Sequence, residues 1–61
     1  MLRYRHYEGK FATFLMTAMH TNGERLVIYV FEDDGDILAI DYDEFFGYTD
    51  SGVIRFELVD G

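Results

Sequence analysis

The sequence predicts one small all-β domain over residues 1–61, a partly open barrel of four to five antiparallel strands with one short helical turn. The chain is about as long as a single small domain, so we expect one core. Of its residues 49% are hydrophobic, with six Phe and five Tyr, a content that excludes a disordered chain. Short apolar runs alternate with Gly and Asn or Asp, which is typical of strands joined by tight turns.

The first half is predicted to form a strand and a hairpin. We expect the first strand near Arg3–Tyr7, followed by a hairpin of Phe11–Thr21 with Arg25–Glu32. Asn22 and Gly23 separate the two runs of the hairpin. Because both residues tolerate a positive φ, as a type I′ turn requires, they predict a turn of that type.

The second half is predicted to add two further strands. The chain turns at Asp33–Asp36 and then enters a strand, Ile37–Tyr42. The last strand is expected at Val53–Leu58, where apolar and polar residues alternate. This alternation predicts that one side of the strand faces the core and carries Ile54, Phe56 and Leu58.

A single helical turn is predicted at Asp43–Phe46, between these two strands. Asp41 or Asp43 is suited to cap its start, and Gly47 to end it. Four or five short strands with one turn of helix indicate a small barrel of the SH3-like type. Closing the sheet also hides strand edges, which this proline-free chain cannot protect with Pro.

The central strands are apolar on both sides. Leu26–Phe31 contains no polar side chain except the Tyr29 hydroxyl, and Phe11–Met19 is apolar apart from two threonines. A helix over Phe11–His20 is the competing interpretation, but the Asn-Gly turn and the β-branched hairpin partner favour a strand. A strand with two apolar sides needs cover on both. A tightly curled barrel supplies part of it, and a homodimer is the possible source of the rest.

The order and spacing of several short segments resemble the small bacterial and phage family called domain of unknown function 1653, over about residues 4 to 59. The segments are Tyr4-Arg5-His6-Tyr7 with Gly9, His20-Thr21, Glu24 to Tyr29, Glu44-Phe45 and Arg55-Phe56. The resemblance implies an SH3-like barrel with no assigned activity. The Trp-x-Arg-Pro element of that family has no counterpart, because this region is the acidic run Leu38 to Asp43. A binding site there is therefore not transferred.

Charge is distributed unevenly along the chain. Residues 1–31 carry four basic and two acidic side chains, whereas residues 32–61 carry one basic and ten acidic side chains. An acidic face that binds a basic protein partner is the predicted function. The alternative is that these acids only cap, form turns and keep the chain soluble. The predicted face consists of Glu32, Asp33, Asp34, Asp36, Asp41, Asp43 and Glu44.

No pattern in the chain indicates catalysis, a cofactor or a metal. The acids around Asp34 lack the spacing of a calcium loop, and a barrel this small leaves little room for the cleft that a catalytic pair needs. His6 and His20 lack a zinc-site spacing, so we expect His6 to be a packed strand residue. Without a signal-peptide pattern or an apolar run of membrane-spanning length, we expect a cytoplasmic protein that does not enter a membrane.

Two alternative functions involve nucleic acid. Arg3, Arg5 and Tyr7 form a possible second surface, because cations beside aromatic rings suit bases and phosphates. We do not expect direct binding, since twelve acids outnumber five basic residues; both arginines are expected to pair with acids of the second half. The other alternative is a phage-type inhibitor that mimics nucleic acid, which requires carboxylates in rows at phosphate spacing, about 7 Å.

Overall fold

The computed structural model describes residues 1–60, with only the backbone of Asp60. In chain order the strands are β1 (Arg3–His6), β2 (Phe11–Met19), β3 (Arg25–Phe31), β4 (Ile37–Asp41) and β5 (Phe56–Asp60), and the helical turn α1 (Tyr42–Phe45) lies between β4 and β5. Within residues 1–60 no helix has the length and apolar character needed to cross a membrane.

The five strands form one open antiparallel sheet in the order β4-β3-β2-β1-β5. The first four strands follow one another as a meander, and β5 returns after α1 to pair with β1. This confirms the predicted fold class, a small all-β, partly open barrel of the SH3-like type. β4 and β5 are its two edge strands.

The long strand β2 contains a bulge, and it pairs with β1 on one side and with β3 on the other. Its pairing with β3 shifts register between Phe14 and Met16, and a bulge of this kind bends a strand and increases its twist. The part of β2 before the bulge also pairs with β1, where Tyr4 lies opposite Ala12. The bend therefore curls the sheet into its barrel shape.

The predicted hairpin of β2 and β3 is confirmed, but the prediction that its turn is of type I′ is wrong. Only glycines have positive φ among the described residues, with Gly23 at +93°, so Asn22 does not have the conformation that type I′ requires. The Gly23 N–H donates to the His20 carbonyl at 2.9 Å, and the His20 N–H donates to Glu24 at 2.7 Å. The loop is therefore three residues long and ends in a left-handed glycine.

The predicted bounds of the helical turn and of the last strand need correction. The helix spans Tyr42–Phe45, one residue earlier than predicted; Asp41 caps it by accepting the Asp43 N–H at 3.2 Å. β5 begins only at Phe56, because residues 53–55 belong to the preceding loop, in which the Thr49 N–H donates to Val53. The predicted burial pattern is also wrong there. Phe56 is 3% exposed, but Ile54 and Leu58 are 41% and 54% exposed.

The core is a compact group of aromatic rings, which α1 closes from one side. Phe45 of α1 is fully buried and stacks on Phe56 with ring centroids 4.2 Å apart. The rings of Tyr4 and Tyr29 also contact the Phe45 ring, with centroid distances of 5.1 and 5.7 Å. Each such pair contributes about 0.5–1.5 kcal/mol beyond its buried area. The buried residues are Tyr4, Ala12, Val27, Tyr29, Phe45 and Phe56.

Candidate functional site

The side of the sheet that faces away from the aromatic core is apolar as well. In β3, Val27 and Tyr29 are buried in the core, whereas Ile28, between them, points to the opposite side and is only half-buried. The register places Ile28 between Met16 of β2 and Ala39 of β4, both of which are exposed. We call this side of the sheet the outer face. Its apolar residues match the sequence observation that the central strands lack a polar side.

The outer face continues to the edge strand β4, which within residues 1–60 pairs with β3 alone. Ile37 is 68% exposed and Leu38 is 39% exposed, although Leu38 lies opposite the buried Tyr29 on the core side. On an edge strand alternate residues direct their N–H and C=O groups away from the sheet. β4 contains neither Lys nor Pro, the residues that commonly block such an edge.

The structure divides the predicted acidic face into two groups. Asp33, Asp34 and Asp36 lie in the turn before β4, and we call them the turn acids. The strand end and the helical turn after β4 carry the second group, the helix acids, which are Asp41, Asp43 and Glu44. The length of β4 separates the groups. The carboxylates thus lie at the two ends of an exposed apolar strand.

Glu32, the remaining predicted acid, belongs to neither group because Arg3 of β1 binds it. The Arg3 Nε and Nη2 atoms donate to the two Glu32 carboxylate oxygens at 2.7 and 3.0 Å. The Arg3 guanidinium also lies 4.0 Å from the ring centre of Phe11. These hydrogen bonds lower the pKa of Glu32, because they stabilise its charged form.

Arg5 is engaged in the same way, as its Nη2 donates to the carboxylate of Glu57 at 2.6 Å. The prediction that Arg3 and Arg5 pair with acids of the second half is therefore confirmed. In the predicted second surface of Arg3, Arg5 and Tyr7, both cations carry a carboxylate partner, and the Tyr7 side chain is 47% exposed.

Two of the three other basic side chains are also held within the molecule. The Lys10 Nζ lies 3.6 Å from the Asp34 carboxylate, and the Arg25 guanidinium lies over the ring of Tyr42 at 5.0 Å. Among residues 1–60 the carboxylates that have no ion-pair partner include two turn acids and all three helix acids. They are Asp33, Asp36, Asp41, Asp43 and Glu44.

A shallow cleft of about 330 Å³ lies where β4 enters α1. Three carboxylates and a single guanidinium line it, and that guanidinium is stacked on an aromatic ring, so the cleft suits a cationic side chain. The lining residues are Glu24, Arg25, Asp41, Tyr42 and Asp43.

The two histidines serve local structure. The His6 Nδ1 accepts the Glu8 N–H at 3.2 Å, and the His6 ring packs at 4.9 Å from that of Phe56. Burial lowers the pKa of His6, which favours the neutral ring. The His20 Nδ1 accepts the Asn22 N–H at 3.1 Å. Within residues 1–60 no three His, Asp or Glu side chains form a group that suits a metal ion.

Comparisons of this chain with family models, with curated proteins and with solved structures give no match. The resemblance to domain of unknown function 1653 therefore stays a prediction. The arrangement at β4 is the part of the candidate site that sequence reasoning missed. Its signal was present in the uninterrupted apolar run Ile37–Ile40 between two groups of acids.

Proposed function

We propose that this chain is a non-catalytic interaction module that binds a basic protein partner through the turn acids and the helix acids. The observation that carries the proposal is that unpaired carboxylates lie at both ends of the exposed strand β4, while four of the five basic side chains are engaged internally. The excess negative charge is therefore available to a partner. The proposal keeps the cytoplasmic location that the sequence predicts.

The arrangement favours a protein partner over the two nucleic-acid alternatives. An inhibitor that mimics nucleic acid needs continuous rows of charge, whereas an apolar strand, Ile37–Asp41, lies between the turn acids and most of the helix acids. Direct binding of nucleic acid by Arg3 and Arg5 requires both cations to leave Glu32 and Glu57. An apolar strand with carboxylates at its ends suits the mixed apolar and charged surface of a protein.

The proposal is tested by removing charge from the turn acids with substitutions that leave the fold unchanged. Immobilised protein is used to capture partners from an extract of its source cells, and the captured protein is then titrated in pure form. We expect the variant Asp33→Asn with Asp36→Asn to bind it about fivefold more weakly, since two exposed ion pairs contribute roughly 1 kcal/mol. Binding of the unaltered chain should also weaken as salt increases.

A matched control removes the same charge elsewhere. Glu8→Gln with Asp50→Asn changes two carboxylates that belong to neither acid group, and this variant should bind like the unaltered chain. If both double variants weaken binding equally, only net charge acts and the proposed site is wrong. A captured protein that is indifferent to salt and to both variants would refute the proposed function.

A further inference from the structure

We propose that the partner contributes an extended segment that adds to β4 as a sixth strand, with apolar residues in its middle and Lys or Arg at both ends. This inference rests on the proposed function and names the chemistry of the bound segment. It starts from the backbone of the edge strand and not from the acids. Because β4 pairs only with β3 in the part of the chain that the structure describes, its outward N–H and C=O groups are available to another chain.

The side chains of β4 specify the middle of the added segment. Ile37 and Ala39 lie on the outer face, and Leu38 lies on the core side, so apolar surface is exposed on both sides of this edge. A segment that pairs with β4 extends both surfaces with its own alternating side chains. Apolar and β-branched residues are therefore favoured in its middle.

The acids specify the ends of the segment. β4 has five residues and spans roughly 16 Å at about 3.3 Å per residue. An added strand of the same length brings one of its ends beside the turn acids and the other beside the helix acids. At the second end the cleft that contains Glu24, Asp41 and Asp43 receives a basic side chain. Both ends of the segment therefore carry a positive charge, in either strand direction.

The same charges disfavour a second copy of this chain as the occupant. Antiparallel pairing of β4 with its own copy places the turn acids of one molecule beside the helix acids of the other. Parallel pairing places each group beside itself, and each molecule has a net charge of −7. Like charges that face each other destabilise an interface. A chain with basic ends meets no such repulsion.

The test uses three synthetic peptides of nine residues and the full chain. The first peptide has the sequence Lys-Arg-Val-Thr-Val-Thr-Val-Arg-Lys. In the second peptide the four basic residues are replaced by Glu, and in the third the five central amides of the first peptide are N-methylated. Fluorescence anisotropy at about 50 mM salt, where charge is weakly screened, measures the affinities. Amide chemical shifts of the protein locate the bound peptide.

We expect the basic peptide to bind about tenfold or more tightly than the Glu peptide and to shift the amides of residues 37–41 most strongly. N-methylation should weaken binding at least about tenfold, because it removes the backbone N–H donors of the added strand while it keeps every charge. If the N-methylated peptide binds as well as its parent, strand addition is wrong, but the proposed recognition of basic partners stands.

Other results would refute more than the proposed strand addition. If the basic and Glu peptides bind equally, or if neither binds, both the inference and the proposed function fail. Sedimentation equilibrium of the protein alone tests the alternative occupant of β4, a second copy of this chain. A dimer that the substitution Ala39→Lys converts to monomer would show that a second copy occupies β4, and this too would overturn the inference. We expect the unaltered chain to sediment as a monomer.

Discussion

The two edge strands of the sheet are held to the molecule in different ways. β5 places Phe56 in the core, where its ring stacks on Phe45, and the neighbouring Glu57 binds Arg5 of β1. β4 places no fully buried side chain in the core: Ile40 is half-buried, and Leu38 is 39% exposed. One edge is thus fixed by core packing and an ion pair, and the other is fixed mainly by its ladder with β3.

This difference separates the structural part of the barrel from the part that is available for binding. A small domain buries only about 60% of its unfolded surface, so its aromatic side chains cannot cover both edges. Here they lie where α1 and β5 close the barrel. β4 keeps an exposed backbone edge together with apolar side chains, which are the features that strand addition needs. Three measurements test how far the contrast holds.

The largest expected effect compares one core side chain from each edge. Phe56→Ala should lower the free energy of unfolding by about 3–5 kcal/mol, because it removes a buried ring and leaves a cavity. Leu38→Ala should cost only about 1 kcal/mol, since much of that side chain already contacts water. Urea unfolding measures both values. If the alanine variant at position 56 does not fold, Phe56→Leu gives the same ranking. Equal losses at the two edges would contradict the contrast.

A smaller effect is expected from pH at the β5 side of the sheet. Burial beside Phe56 lowers the pKa of His6; the nearby Arg55 and Lys10 act in the same direction, and Glu8 acts against them. As the pH falls below about 6.5, the unfolded chain binds the proton first, so stability that is complete above this pH is lost as the folded-state pKa is approached.

Urea unfolding between about pH 7 and pH 5 measures this loss. We expect His6→Gln to remove this part of the pH dependence and the matched variant His20→Gln to retain it. The lowered pKa of Glu32 contributes in the same direction, but only below about pH 4.5, and so lies outside the window. A variant at His6 that keeps the full slope would show that another group is responsible.

The smallest effect is expected from the ion pair that joins β5 to β1. Arg5 and Glu57 are each about half exposed, and such pairs contribute roughly 0.2–1 kcal/mol. A double-mutant cycle with Arg5→Gln and Glu57→Gln isolates this coupling. We expect it to decrease in high salt. A coupling that exceeds the loss measured for Phe56→Ala would mean that the charge pair, and not Phe56, chiefly holds this edge.

The sequence predicted the fold class and most strands because local signals and burial agree there. Asn22 and Gly23 mark the first hairpin, and Asp41, one of the two predicted caps, caps the helix. The start of β5 could not be predicted, because Ile54 continues the alternating pattern but bonds within a loop after Gly47. Gly47 itself is required by close packing, as a Cβ there would lie 2.6 Å from the Asp43 carbonyl oxygen. That contact is local to the helical turn, whereas the loop bonds that delay the start of β5 depend on the assembled fold.

The candidate site was only partly predictable for a similar reason. The acids from Glu32 to Glu44 are close in sequence, and this proximity predicted one continuous face. A strand is an extended spacer, so β4 instead separates them into two groups. The partner of Glu32 is 29 residues away along the chain, at Arg3, and only the sheet brings the two together. Sequence composition indicates how much charge is present, and topology decides which charges remain unpaired.

The bulge in β2 has a consequence for the parity of residue numbers along that strand. Before the bulge, the even-numbered Ala12 and Phe14 are on the core side, opposite Phe31 and Tyr29. After it, the odd-numbered Thr17 lies opposite the buried Val27, and the even-numbered residues of β2 move to the outer face. One extra residue thus exchanges the two sides of the strand halfway along its length. Inserting or deleting one residue at this point would therefore turn over the half of β2 that follows the bulge. Side chains that now face the core would face outward, although none of them would itself be changed.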